Sequence, residues 1–439
     1  AALQSLVADG ACEVGLPEAS CSLELLQLRV QALPLREAAA PDATSVSFED
    51  YMRLHGRSYA PGSEEFWHRR ALFGRRAEQV QKQNARPHRL WTAAVNKFAD
   101  RNDEELLALS GYRREARPVG RVASRSERLQ LIGRSSRALD LADVPQDFTW
   151  RSKLKATSEP RFQGTCGSCW AFTTTTLLRA HAQLYQRERY CSVAQVLSCT
   201  ANPKHCGGAG GCTGATVELG MDYVVRNGCV SDSEWGYEMT SDSERCSSAK
   251  TSSGEGASGE AGAGVATPLL VPGLKGYTKL PGNQLAPLMV ALVTKGPVGV
   301  SVSSGFGTEQ MWLLYEGGIM DACPPNATID HAVVLVGYGV GQEGQEKGQR
   351  YWHIQNSWGP DWGEGGFIRL SRLADEAEAS YCGMDTNPAV GNGCDGGPPE
   401  VRVCGANGIL SDSTVPDFQL GPDGLWSNRS FLEQYRLHQ

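Results

Sequence analysis

The sequence predicts an α+β protein, with helices in its first half and strands in its second. Two observations carry this. Residues 46–84 and 169–187 carry helical patterning, whereas the later third alternates short apolar runs with Gly turns. At 439 residues the chain is too long for one ordinary core, which implies two or three domains. A hydrophobic content of 41% suits a globular protein. No run approaches the length of about eighteen apolar residues that a membrane span needs, so none is expected. The formal charge of −7 argues against nucleic acid as the main partner.

Taken in order, residues 1–45 form an N-terminal extension. It opens without the basic-then-apolar layout of a signal peptide, so any signal is expected to have been removed. A loop closed by Cys12 and Cys21, followed by a short helix, is expected there. Within 46–84, Glu65, Arg69, Phe73, Arg76, Val80 and Asn84 fall at helical steps along one stripe. Asn96, Phe98 and Asp100 alternate as on a strand. Residues 113–137 carry eight arginines among Gly, Ser and Pro, the composition of an exposed, cleavable linker (113–143). Globular sequence resumes at Val144. Residues 247–268 are low-complexity and read as a surface insert. The runs "GPVGVSVS", "HAVVLVGYG", "RYWHIQNSW" and "GGFIRLSR" read as strands. Residues 388–439 form a Gly/Pro-rich C-terminal extension that ends in a short amphipathic helix, "LWSNRSFLEQYRL".

Fourteen cysteines are many for a reducing cytosol and point to the secretory route. The sequons Asn326-Ala-Thr328 and Asn428-Arg-Ser430 agree with it. In "QGTCGSCWAF", Cys166 and Cys169 stand at a spacing open to three readings: a redox pair, half a metal site, or one nucleophile. A nucleophilic thiol needs a base to hold it as thiolate, and the base needs an orienting partner. Cys169 lies where a loop turns into a helix, whose N-terminus favours a thiolate. Among only eight histidines, His331 heads an apolar strand. Asn356 ends another strand and can fix an imidazole tautomer. Gln163 supplies an amide donor for an oxyanion, beside the Cys169 backbone N–H. Taken singly, these would be a structural cysteine, a strand histidine, a turn residue and a loop amide. No second Cys-X-X-Cys completes a zinc site, so neither metal nor cofactor is expected.

The blocks "QGTCGSCWAF", "DHAVVLVGYG" and "YWHIQNSWGPDWGEGGFIRL" resemble the active-site blocks of papain-family cysteine proteases of the cathepsin L type. The stripe over 65–84 and "AVNKFAD" resemble the family's inhibitory propeptide, with Arg76 for the usual Asn, Val80 for Ile and Ala94 for Gly. The resemblance implies a papain-like two-domain fold over 144–387, with a helical left domain and an antiparallel, β-barrel-like right domain. A mainly helical propeptide over 46–112 precedes it. It implies a cysteine endopeptidase in precursor form that acts on protein or peptide substrates and is blocked by its own propeptide. Gln163 would serve the oxyanion, Cys169 attack, His331 act as base and Asn356 orient it. Trp358 would shield that contact and Trp362 line the leaving-group side. Substrate would meet Gly214 and Ala215, with Thr216, Val217, Ser301, Ala332 and Asn387 around its P2 side chain. That mix suits a medium-sized apolar residue.

The resemblance also implies disulfides Cys166–Cys212, Cys199–Cys246 and Cys323–Cys382. Proximity suggests Cys12–Cys21 and Cys394–Cys404, leaving Cys191, Cys206 and Cys229. Two departures stand out: Ala215 replaces a Gly whose backbone meets the P2 residue, and "CSVAQVLSC" keeps Gln195 but lacks the usual Ser-Glu-Gln run. They admit a second reading, a structural or interaction subunit on a papain scaffold. A thiol-disulfide oxidoreductase using Cys166 and Cys169 would need Cys166 unbridged. Acid is the expected trigger of release, since propeptide carboxylates such as Asp100 lose their pairing when protonated. A lysosomal, vacuolar or extracellular location follows from the family.

Overall fold

Helix α1 (Phe48–Leu54) starts at Ser47, whose side chain accepts the Asp50 N–H. It lies in the first of two compact units, residues 1–56; the second holds residues 57–439. The computed structural model describes residues 46–111, 141–185, 190–241, 245–246, 269–305 and 311–418. The Cys12–Cys21 loop, nearly all of the Arg-rich linker, the low-complexity insert and the C-terminal amphipathic helix lie outside these residues.

Helix α2 (Glu64–Asn84) is capped by Ser63. The expected single helix over 46–84 is thus two, separated where Gly56 and Gly62 adopt φ of 62° and 80° around Pro61. Left-handed glycines and a proline without an N–H end a helix. The predicted stripe buries Phe73, Arg76 and Val80. Arg76, at the position of the usual Asn, donates to the carbonyls of Phe98 (3.0 Å) and Ala99 (2.9 Å).

Strand β1 (Trp91–Ala93) follows, but the alternating Asn96, Phe98 and Asp100 are not on a strand. The Asn96 side chain accepts the Phe98 N–H at 3.1 Å, and Ala99 and Arg101 close turns onto Asn96 and Phe98. Asn competes with a ladder in this way. Helix α3 (Asp103–Leu107) carries a capping box between Asn102 and Glu105.

After β2 (Phe148–Thr149), helices α4 (Cys169–Leu184), α5 (Val193–Cys199) and α6 (Val217–Asn227) form the helical layer. α4 is buried on nearly every side, and its threonines stay satisfied: Thr174 and Thr175 donate to the carbonyls of Trp170 and Ala171. Gly220 of α6 meets α4 so closely that a β-carbon there would lie 2.6 Å from the Thr174 hydroxyl.

The remaining elements are β3 (Leu274–Lys279), α7 (Leu285–Thr294), β4 (Val298–Val302), β5 (Tyr315–Met320), β6 (His331–Val340), β7 (Arg350–Gln355), β8 (Phe367–Ser371), α8 (Asp375–Ser380), β9 (Cys382–Asp385), β10 (Val401–Cys404) and β11 (Asp412–Phe418). The four predicted strand runs are β4, β6, β7 and β8. The main sheet runs β1-β5-β8-β7-β6-β4-β11-β3, with β2 beside β6. The barrel-like sheet implied by the resemblance is therefore an open path. Its edges are β1 and β3, and β5 and β8 pair in parallel. Strand β11 lies between β4 and β3, so the expected domain boundary at residue 387 falls inside this sheet.

Disulfides join Cys166–Cys212, Cys191–Cys229, Cys199–Cys246, Cys206–Cys394 and Cys382–Cys404. Two expected pairings are corrected. Cys382 bonds to Cys404 rather than Cys323, because the antiparallel register of β9 and β10 sets them opposite each other. Cys323 is left as a thiol. Cys394, near Cys404 in sequence, instead reaches Cys206 across 188 residues.

Candidate active site

Cys169 is the first residue of α4 and is wholly buried. Its Sγ accepts the Ala332 N–H at 3.3 Å, and the Gly111 amide also donates to it. Burial pushes the thiol up to about 12, against the pull of those amides. Next to Ala332, His331 opens β6, also wholly buried. Its Nε2 lies 2.8 Å from Asn356 Oδ1. The same oxygen accepts the Ser357 backbone N–H at 2.8 Å, which fixes the amide's orientation. Nε2 therefore carries the proton and Nδ1 is bare, with no hydrogen-bond partner among the described residues. Burial pushes this imidazole down to about 4, despite its bond to Asn356.

An aromatic wall keeps water from the pair. The Trp358 ring lies 5.2 Å from His331, Trp312 meets the imidazole edge-on, and Trp362 packs on Trp358. Gln163 donates from Nε2 to the carbonyls of Leu109 (3.0 Å) and Cys166 (2.9 Å). Its Oε1 accepts from Ser357 Oγ at 2.6 Å, and its backbone carbonyl accepts the Tyr237 hydroxyl at 2.6 Å. Cys166, tied to Cys212, pins the loop between them and is unavailable as a redox partner.

The four sequence-predicted catalytic residues thus converge, and Leu109–Gly111 lies over them. The Leu109 carbonyl takes the Gln163 donor, while a methyl group at Gly111 would come within 2.0 Å of the Cys169 sulfur. Sequence reading missed Leu109, Gly111, Ser357, Tyr237 and Trp312. Of these, only Ser357 lies within one of the active-site blocks.

The predicted substrate contacts divide. Gly214 has φ of 105° and Ala215 is buried beside it. Thr216 and Val217 start α6. Across the sheet, Ala332, Ser301 and Asp412 form one row on neighbouring strands. Ser301 Oγ donates to Asp412 Oδ2 at 2.8 Å. The residue beside Ser301 is Asp412, whereas Asn387 bonds through its amide to Asp385.

Residues 144–392, more than half of the chain, match the family model described as "Papain family cysteine protease". The chain belongs to the papain family of cysteine proteases. It is a cysteine-type endopeptidase by this membership. Residues 48–106 match "Cathepsin propeptide inhibitor domain (I29)". Similar proteins include a cathepsin L-like proteinase of Phaedon cochleariae, 30% identical over 76% of this chain and 90% of the relative. Procathepsin L of Mus musculus is 27% identical over 78% and 90%. In fold the chain is similar to a recombinant stem bromelain precursor, with a TM-score of 0.58 at 24% identity over 85% of this chain and 98% of that one.

The inhibitor domain of this papain-family chain is held to itself by buried charge. Asp100, fully buried, accepts from Arg57 and from the Tyr59 hydroxyl, each at 2.7 Å. Glu105 pairs with Arg69 and Arg101. The domain is held to the protease by β1 on β5, by Lys97 with Asp361, and by Phe98 edge-on to Trp358. Burial acts to raise the Glu105 carboxyl, but hydrogen bonds from Arg69, the Asn102 amide and Arg101 outweigh it and hold the group at about 2. A depressed carboxylate stabilises the fold above its ordinary value of 4.5, and that support is lost as pH falls from 4.5 toward 2. Glu105→Gln is expected to raise the pH midpoint at which the full-length chain opens, measured by thiol labelling. An unmoved midpoint would remove Glu105 from the trigger.

Proposed function

We propose that this chain is the latent precursor of a papain-like endopeptidase that works through Cys169, His331 and Asn356, with Gln163 and the Cys169 N–H at the oxyanion. The observation that carries the reading is the double occupancy by the inhibitory segment: the Leu109 carbonyl on the Gln163 amide and Gly111 on the thiol.

Once the segment leaves, solvent and the α4 N-terminus favour a Cys169 thiolate beside a His331 imidazolium. The thiolate attacks the scissile carbonyl, and the oxyanion takes the Gln163 amide that the Leu109 carbonyl had occupied, together with the Cys169 N–H. His331 gives its proton to the leaving amine, then takes one from the water that hydrolyses the thioester. Asn356 holds the imidazole in register throughout.

Burial keeps the proton on the Cys169 thiol and off the His331 imidazole in the closed chain. Opening moves that proton from sulfur to imidazole with no net uptake, so the acid trigger is assigned to the inhibitor's carboxylates, Glu105 among them. Final processing is assigned to the Arg-rich 113–143 linker. Five disulfides among the described residues support a secretory route, with a lysosomal, vacuolar or extracellular destination.

The structural-subunit reading rests on the full burial of Cys169 and on Ala215. One experiment separates the two: a thiol-reactive peptidyl epoxide applied before and after acid treatment. The protease is expected to label only after acid. Cys169→Ala should abolish labelling and lower peptide hydrolysis by at least about a thousandfold. A chain that never labels and keeps residues 46–143 attached would be a scaffold.

A further inference from the structure

Gln163 is followed by a glycine at φ of 65°, a residue whose backbone has little restraint of its own. Ser357 holds Gln163 at two points, by accepting its N–H at 2.8 Å and donating to its Oε1 at 2.6 Å. The Gln163 carbonyl and Gly164 are gripped instead by segment 237–239, which the mechanism does not use. The Tyr237 hydroxyl donates to that carbonyl at 2.6 Å and lies 2.6 Å from Ser168 Oγ. A carbonyl only accepts, so the tyrosine proton points at Gln163 and Ser168 donates to the tyrosine oxygen. One phenol oxygen thus ties the Gln163 peptide to the residue before Cys169, whose N–H is the second oxyanion donor. Burial pushes this phenol up to about 12, so it remains a donor across the acid and neutral range. Its ring packs edge-on against Phe172 of α4, at 4.8 Å between centroids.

Met239 grips the next residue. Its φ of 60° is a left-handed backbone that is strained for any residue but glycine. Its Sδ fills the place that a side chain at residue 164 would take. At 46% exposure, the side chain is not drawn there by burial in a core. The strained backbone brings the thioether onto Gly164 and closes the space into which that peptide would swing. The segment itself is rooted, since Trp235 is buried with Ala194 and Val230 and its carbonyl accepts the Ser192 hydroxyl.

We propose that Tyr237 and Met239 are positioning residues for the oxyanion. They fix the Gln163–Gly164 peptide, and through it the Gln163 amide donor, relative to the Cys169 N–H. This role rests on the assignment of Gln163 to the oxyanion. A slightly displaced donor leaves substrate binding intact but fits the tetrahedral oxyanion poorly, so the loss falls on kcat rather than KM.

Met239→Gly is the informative variant, because glycine takes φ of 60° freely and the change removes the thioether without straining the chain. Its thermal midpoint is expected at or above the natural one. Kinetics are read on acid-activated full-length protein, normalised to epoxide-labelled sites. There kcat is expected to fall about three- to tenfold in Met239→Gly and about tenfold in Tyr237→Phe, with KM within about twofold. A peptide aldehyde, whose hemithioacetal oxygen takes the oxyanion position, should lose affinity by the same factor. Alkylation of Cys169 by chloroacetamide, which forms no oxyanion, should keep its natural rate. Natural kcat and aldehyde affinity in either variant overturns the role of that residue. An alkylation rate that falls in step with kcat overturns the proposal too, since the effect would then lie on the thiol pair or on the fold. Failure of the protease reading looks different: the activated natural chain would alkylate but hydrolyse no peptide, and aldehyde affinity across the three chains would still decide the positioning role. A thiol that never opens overturns both.

Discussion

Gly111→Val is expected to open the latent chain without any cut. A β-carbon at residue 111 would sit 2.0 Å from the Cys169 sulfur, far inside contact distance. The side chain beneath it is wholly buried, and helix α4 behind it is packed on nearly every side, so the inhibitory segment is what yields. Overpacking of this kind costs about 1–3 kcal/mol. That corresponds to roughly a five- to hundredfold rise in the epoxide-labelling rate of the uncut protein near neutral pH. An unchanged rate would mean that Gly111 does not guard the thiol. Cys169→Ala in the same background should remove all labelling, which ties the signal to that sulfur.

Gln163→Ala is expected to act in two directions at once. The Gln163 amide binds the Leu109 carbonyl in the closed chain and is assigned to the oxyanion in the open one. Loss of one oxyanion donor costs about 10²–10³ in kcat. The activated variant should therefore show that loss with KM little changed. The uncut variant should at the same time expose its thiol more readily to a small alkylating reagent, because the inhibitor has lost a buried hydrogen bond. A variant that keeps full kcat would remove Gln163 from the chemistry. One that keeps its latency would show that the remaining contacts of the inhibitor suffice.

The proposed catalytic groups were legible as candidates because each sits in a short block whose residue types serve one chemistry. Gln163, Cys169, His331 and Asn356 needed no knowledge of the fold beyond their order. The stripe over α2 was legible for the same local reason, and its interruption is written in Gly56, Pro61 and Gly62. Features that depend on register were not legible. Cys382 faces Cys404 only because β9 and β10 pair as they do, and the bond to Cys206 draws Cys394 away from its sequence neighbour. The hairpin between residues 382 and 404 also delays the last strand, so Asp412 rather than Asn387 comes to lie beside Ser301. Asn96 and Asp100 alternate as a strand would, yet the Asn96 side chain folds the backbone into a turn. Leu109 and Gly111 have no chemical character to mark them, since both act through backbone atoms or through the lack of a side chain.

Strand β1 gives the inhibitor a second kind of debt to its enzyme. Trp91–Ala93 pairs with β5 at Gly318, Gly317 and Tyr315, and so covers that part of the sheet margin. The proposed processing would take that strand away with the inhibitor. The released enzyme would then carry unpaired amides and carbonyls along part of β5, a margin open to pairing with another extended chain. Loss of the inhibitor would thus create a site of strand addition as well as a free thiol.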